Sequence, residues 1–174
     1  MDNTMFEQIP TLARYMDGAD HVDVHSGEGA MSLRQFTAGF LSYRPGWMQV
    51  LWKVRVWLLK CLGQGEHNVP EEERMTAETL PVEAGEMATF FTVADSDGET
   101  FWMAVAEESH LGAALAVVVE DIEDNQGMKR FHIITVVKYN NLAGSIYFNV
   151  IRPFHHLVVA GGMRSVLAGK SAKS

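Results

Sequence analysis

The stretch MKRFHIITVVKYNNLAGSIYFNVIRPFHHLVV, residues 128–159, decides the fold, because the spacing of its apolar residues changes part-way. From Met128 to Tyr139 the period is two. Phe131, Ile133, Thr135, Val137 and Tyr139 share one face, and the run is rich in the β-branched residues that suit a strand. Beyond Asn140 the period becomes helical, and Leu142, Ile146, Val150, Phe154, Leu157 and Val158 form one stripe over about five turns. A strand therefore hands over to a long C-terminal helix. Pro153 removes one backbone donor inside that helix and is expected to bend it. Gly161–Gly162 either weakens it or lets another segment approach closely.

Upstream, Leu111–Ile122 reads as a partner strand, turned by Asp124–Gly127. Met87–Ala94 and Thr100–Ala106 flank Asp95–Glu99, where Asp97–Gly98 marks a hairpin. These four strands form an antiparallel meander. Residues 64–86, with Pro70, Pro81 and Glu71–Glu73, read as an acidic connector holding at most a short strand around Met75–Leu80. Before it, Pro45–Leu62 reads as a helix with a Leu51, Val54, Leu58, Cys61 stripe. A shorter helix begins at the cap Ser32 and carries Leu33, Phe36, Phe40 and Leu41. Ala19–Ser26 alternates as a strand, broken by Gly27 and Gly29, and Thr11–Asp17 is a short helix stopped by Gly18. The order strand, helix, helix, several strands, long helix is an α+β layout. The economical packing is a curved antiparallel sheet wrapped around the C-terminal helix, with a cavity between them. Residues 1–168 make one domain and 169–174 a disordered tail.

The chain has 174 residues and a formal charge of −8, which argues against a whole-surface nucleic-acid binder. The charge is sorted along the chain: residues 29–65 hold five bases and no acid, 66–124 sixteen acids and one base, and 125–174 seven bases and no acid. The basic helices are expected to face the acidic connector and hairpin tips. A single cysteine, Cys61, rules out an intramolecular disulfide and reads as a buried, inert thiol. Lys53, Arg55 and Lys60 interrupt the apolar stretch Trp47–Leu62, which argues against a membrane span. Trp47, Trp52 and Trp57 beside those bases leave a membrane-surface helix as a minor alternative to a packed one. No signal peptide is read at the N-terminus, and a soluble cytoplasmic protein is expected.

Several strings carry a family resemblance over about residues 19–167. One is Leu51–Trp52–Lys53–Val54–Arg55 followed by Leu58, Leu62 and Gly63. The more specific is Ile134–Thr135–Val136–Val137, then Tyr139–Asn140–Asn141–Leu142–Ala143–Gly144, Tyr147 and Arg152–Pro153–Phe154–His155. With these the sequence resembles the bacterial domain of unknown function 2867 family, within the helix-grip superfamily of START-like, polyketide-cyclase-like (SRPBCC) domains. The resemblance implies a helix-grip fold and a pocket, not a reaction. At Ser109–His110–Leu111–Gly112 the chain departs from the family pattern, which has an acid after the leucine. Some relatives carry this domain behind a nicotinamide-dependent reductase-like domain; this chain has no Gly-x-Gly-x-x-Gly string.

The candidate chemistry is sparse. His155 and His156 point about 100° apart on a helix and cannot easily share a metal. His155 reads first as a structural histidine bonded to a carbonyl freed by Pro153. Its alternatives are a pocket-lining group and a metal ligand. His21, Asp23 and His25 share one face of their strand. A metal site or general-base pair is conceivable there, but the pattern reads first as the solvent face. Asp95–Glu99 resembles the start of a calcium loop without its later acid. Arg55 reads as a bridging arginine, with anion recognition as the alternative. Apolar residues on both faces of Leu115–Val119 and of the 131–139 strand need a cover on the outer face. The candidates are the two early helices or a partner subunit in a homodimer.

The leading expectation is binding of a small hydrophobic ligand, lined by Phe91, Trp102, Met103, Leu115, Val117, Ile133, Thr135, Tyr139, Tyr147 and His155. The same residues would equally make a filled core. The alternatives are an enzyme of cyclase, dehydratase or hydrolase type using His155 as acid or base and Tyr147 as donor, and an interaction module accessory to a reductase-like partner. No cofactor, metal or catalytic residue is assigned.

Overall fold

The period-two run at 129–139 forms the strand around which the rest of the sheet is ordered. The computed structural model describes residues 9–63, 74–122 and 127–169. In chain order the elements are α1 (Pro10–Met16), β1 (His21–Gly29), α2 (Leu33–Leu41), α3 (Met48–Cys61), β2 (Met87–Ala88), β3 (Phe91–Ser96), β4 (Phe101–Glu107), β5 (Leu111–Asp121), β6 (Lys129–Tyr139) and α4 (Leu142–Leu167). The fold is α+β. A curved six-stranded antiparallel sheet of order β1-β6-β5-β4-β3-β2 carries the C-terminal helix on one face.

The register sorts every strand residue onto a face. Asp23 pairs with Thr135, Thr135 with Leu115, and Leu115 with Ala104, so these four side chains share the α4 face. There Phe36 and Leu33 of α2 and Val159, Met163 and Val166 of α4 close a core around Trp102, Val117, Phe131 and Ile133. Residues one position away face the other side. Met103, Ala114, Ala116, Val118, Ile134 and Val136 pack with Ile9 and with Leu12 of α1. The apolar outer face is therefore buried within one chain, Ile134 at 0% and Val136 at 2% exposure, under α1 rather than under the two early helices.

Capping residues fix the helix starts. The Ser32 side chain accepts from the Gln35 amide, and the Gln35 side chain accepts from the Ser32 amide. Asn141 caps α4 by accepting from the Gly144 amide and donates to the Ser109 carbonyl. Asn140 donates to the Glu108 carbonyl, so the junction between β6 and α4 is tied to the β4–β5 turn. A Cβ on Gly144 would lie 1.9 Å from the His110 carbonyl oxygen. That glycine lets the first turn of α4 seat on the turn. Gly161 and Gly162 admit Tyr43 and Phe40 in the same way.

Several expectations are corrected. The stripe expected to bury α4 is left largely open: Leu142, Ile146, Val150, Phe154 and Leu157 are exposed, and Tyr147, Phe148, Val159, Met163 and Val166 are buried. A continuously apolar helix marks two faces, and spacing alone does not say which meets the sheet. On α3 Leu59 is the fully buried residue, while Val54 and Cys61 are exposed, so the thiol is not buried. Met87–Ala94 is not one strand. It breaks at Thr89 and Phe90, with Thr89 at φ +61°, a value a β-branched residue rarely adopts. Met75–Leu80 is a turn, held by the Thr76 carbonyl accepting from the Thr79 and Leu80 amides, instead of a strand. The Asp95–Glu99 segment closes the β3–β4 hairpin. Asp97 accepts from the amides of Glu99, Thr100 and Phe101. The turn at 124–127 and the expected tail lie largely outside the described residues, as does 64–73 of the connector.

Candidate functional site

Against the α4 face of the sheet lies a cavity of about 320 Å³, bounded by the end of α2, by α3, by the Thr89–Phe90 turn, by β4–β6 and by α4. Its wall is mostly apolar, with Leu51 and Trp52 from α3, Phe90 from the strained turn, Phe91 from the start of β3, and Phe148 and Ile151 from α4. Of the ten expected lining residues, Phe91, Leu115, Thr135, Tyr147 and His155 border it. Trp102, Val117 and Ile133 are instead at 0% exposure in the core beneath α2 and the end of α4. The Trp102 indole donates to the Pro81 carbonyl. Met103 is one position out of phase and faces α1. Tyr139 packs beside Phe148 at the rim of a small cluster around Leu59.

Polar groups reach the wall from Arg55 of α3, Glu108 of the β4–β5 turn, Thr135 of β6, and Tyr147 and His155 of α4, with His110 packed behind Tyr147. Arg55 is ion-paired with Glu108 at the β4–β5 hairpin, and its guanidinium lies over Trp52 at 5.0 Å and Tyr147 at 5.7 Å. His110 is wholly buried, edge-on to Tyr147 at 4.9 Å, with Nε2 3.5 Å from the Glu108 carboxylate. Burial pushes the Tyr147 hydroxyl up to about 12; Arg55 pulls it down and Glu108 pushes it up. It stays a neutral donor across the ordinary pH range. Two atoms of these wall residues have no hydrogen-bond partner among the described residues, Arg55 Nε and Thr135 Oγ1, and both are buried.

Glu108 was not singled out by sequence. Its signal was the acid ahead of Ser109–His110, since the pattern looks for one after the leucine. At that later place stands Gly112, and a Cβ there would lie 2.7 Å from the Glu107 carboxylate, which occupies the space.

A second constellation joins the sheet edge to α4. His21, Asp23 and His25 pair with Val137, Thr135 and Ile133, so they point at the helix instead of solvent. Asp23 Oδ2 accepts from His21 Nε2 at 3.0 Å and His155 Nε2 at 3.1 Å, and His25 Nε2 lies 3.3 Å from His156 Nδ1. The expected carbonyl partner of His155 is replaced by a carboxylate from 132 residues away. Period-two alternation had shown that one face of β1 is polar; it could not show that a polar helix face would cover it. Burial raises the Asp23 pKa, but the bond and charge of His155, the bond of His21 and the charge of His156 outweigh it and hold it below its ordinary 3.8. Burial lowers that of His25, with Asp23 opposing and His156 and His155 adding to it.

The sequence model of one family, described as "Protein of unknown function (DUF2867)", matches residues 13–162. The chain belongs to that family. No curated protein matches it. The DUF2867 match runs from α1 into α4, so the cavity wall and the Asp23–histidine cluster both lie within the family's extent. Among the described residues no helix is long and apolar enough to cross a membrane.

Proposed function

We propose that this DUF2867 protein binds a small, largely apolar molecule with a hydrogen-bond-accepting end, in a helix-grip arrangement of sheet and C-terminal helix. The observation that carries this reading is the pair of unsatisfied buried atoms, Arg55 Nε and Thr135 Oγ1, on residues of an otherwise apolar wall. Buried polar groups in folded proteins are nearly always hydrogen-bonded, so unpaired ones on a cavity wall call for a partner from outside the chain. A donor and a hydroxyl on greasy walls suit a carboxylate or carbonyl oxygen at the end of an apolar body. The reading asks for no partner subunit, since the outer sheet face is buried by α1.

A fluorescent fatty-acid probe titrated into the protein, with native mass spectrometry of the purified chain, tests this. Saturable one-to-one binding, weakened by Arg55→Met and by Thr135→Val, is the expected result. Failure of the wild-type chain to bind the probe, with no co-purified molecule, overturns it.

The Asp23–His155 pair favours a second reading, an enzyme in which a carboxylate orients His155 as acid or base at the cavity wall, which the neutral Tyr147 hydroxyl also borders. Among the described residues no nucleophile is hydrogen-bonded to His155, so binding is the first reading.

A further inference from the structure

The cluster on the outer strand of the sheet has more ligand atoms than hydrogen bonds to satisfy them. Asp23 has a side chain only 10% exposed, and its Oδ2 is used twice. Its Oδ1 is buried with no hydrogen-bond partner among the described residues, and the nearest donor, His25 Nε2, stands 3.5 Å away. That same nitrogen faces His156 Nδ1 at 3.3 Å. One ring proton cannot fully serve both contacts, so whenever His25 donates to His156 the buried Asp23 Oδ1 has no donor among the described residues.

A cation resolves the shortfall. Ligand atoms of His21, Asp23 and His156 lie within 4.8 Å of one another. Between two of the three, His21 Nε2 and Asp23 Oδ2, the separation is 3.0 Å, near the edge of a zinc tetrahedron, about 3.4 Å for bonds of about 2.1 Å. We propose that His21, Asp23 and His156 bind a divalent first-row transition metal ion, with His25 and His155 beside it. Two imidazoles and a carboxylate suit zinc or iron(II) and not the all-oxygen shells of calcium or magnesium. Neutral histidine moves its proton to the other ring nitrogen to free the ligating lone pair, so each ligand can switch from hydrogen bond to metal bond without ionising. The three residues come from the outer strand β1 and the helix that crosses it, so the ion would also fasten α4 to the sheet. His155 bonds Asp23 and borders the cavity, which places the site beside the cavity wall. The metal site holds independently of whether the cavity takes an apolar ligand.

Calorimetric titration of metal-free, full-length protein with Zn²⁺ alone at neutral pH is the test. One ion per chain is expected, with affinity falling by about 100-fold or more in Asp23→Asn and in His156→Ala. His132→Ala, which alters a histidine outside the cluster, should leave the affinity unchanged. Visible absorption of Co²⁺ bound to the wild-type chain gives a readout that needs no variant: an intense tetrahedral d–d band supports the site. Absence of saturable Zn²⁺ binding overturns the proposal. So does equal weakening by His132→Ala, or displacement of Zn²⁺ by excess Ca²⁺ or Mg²⁺.

Discussion

His155 Nε2 donates to Asp23 Oδ2 at 3.1 Å across 132 residues of sequence, and this bond holds the middle of α4 to β1. Both side chains are largely buried, so losing the partner is only partly offset by water. In metal-free buffer Asp23→Leu should therefore cost about 2–3 kcal/mol, because two imidazole donors lose their acceptor. A double-mutant cycle with His155→Leu should return a coupling of about 1–2 kcal/mol by urea denaturation. Additive effects would mean that the contact contributes nothing.

The Arg55–Glu108 pair makes a second, distinguishable demand. The side chains are 18% and 23% exposed, so breaking the pair strands a mostly buried charge, but water relieves part of the cost. Glu108→Gln should destabilise by about 1–3 kcal/mol. Arg55→Met combined with Glu108→Leu should lose less than the two single changes added together. Thermal melts of the four proteins decide this.

How much of this could be read in the sequence differs by level. Element order and most strand ends were legible, because the switch from period two to helical spacing near Asn140 is local information. The two asparagines and Gly144 were visible as a motif. Their purpose was not, since it lies in contacts to Glu108, Ser109 and His110 from the preceding hairpin. Burial was the weakest reading. α4 is apolar on two faces, and the one that looked like the core stripe, from Leu142 to Leu157, is left largely open. His21, Asp23 and His25 looked like a solvent face, because nothing near them in sequence announces His155 and His156. The cavity was expected; half its assigned lining fell elsewhere: Met103 faces the opposite side of its strand, and Trp102, Val117 and Ile133 share the cavity's face of the sheet but lie further along it, in the core under α2.

Gly144→Ala should show how rigid the seat of α4 is. The added methyl would meet a backbone oxygen at 1.9 Å, and unlike a side-chain tip that atom cannot swing away without disturbing the β4–β5 turn. We expect a loss of about 3 kcal/mol or more, read as a lower urea midpoint. An Ala143→Gly control loses only helix propensity, about 1 kcal/mol. Equal effects would remove the close approach as the reason for the glycine.

Tyr147 gives an alkaline signature. Its hydroxyl is pushed up to about 12 in the fold, by burial first, against an ordinary 10.0. The folded chain thus holds a proton that the unfolded chain releases, so the contribution is complete below pH 10 and declines as the pH rises toward 12. The decline is about 3 kcal/mol in full. Tyr147→Phe has nothing to ionise there. The stability gap between the two proteins should shift in favour of the phenylalanine variant across that window, and a constant gap would contradict burial of a neutral tyrosine.

Asp97 supplies the opposite sign in acid. Burial raises its pKa, but the amides of Phe101, Glu99 and Thr100, with the Thr100 hydroxyl, together outweigh that and hold it below 3.8. The folded chain then binds fewer protons than the unfolded chain as the pH approaches that value from above. The turn's stabilisation is therefore complete above pH 3.8 and is lost as the pH falls through the folded value. Asp97→Ala should be less stable than wild type by about 1–2 kcal/mol at neutral pH, from the lost amide bonds. The gap should close on acidification. Because Gly98 still supplies the positive φ that the turn needs, the variant should keep its hairpin, which chemical shifts of Phe101 and Trp102 would report. A gap that stays constant into acid would show that Asp97 shapes the turn through its size and not through its charge.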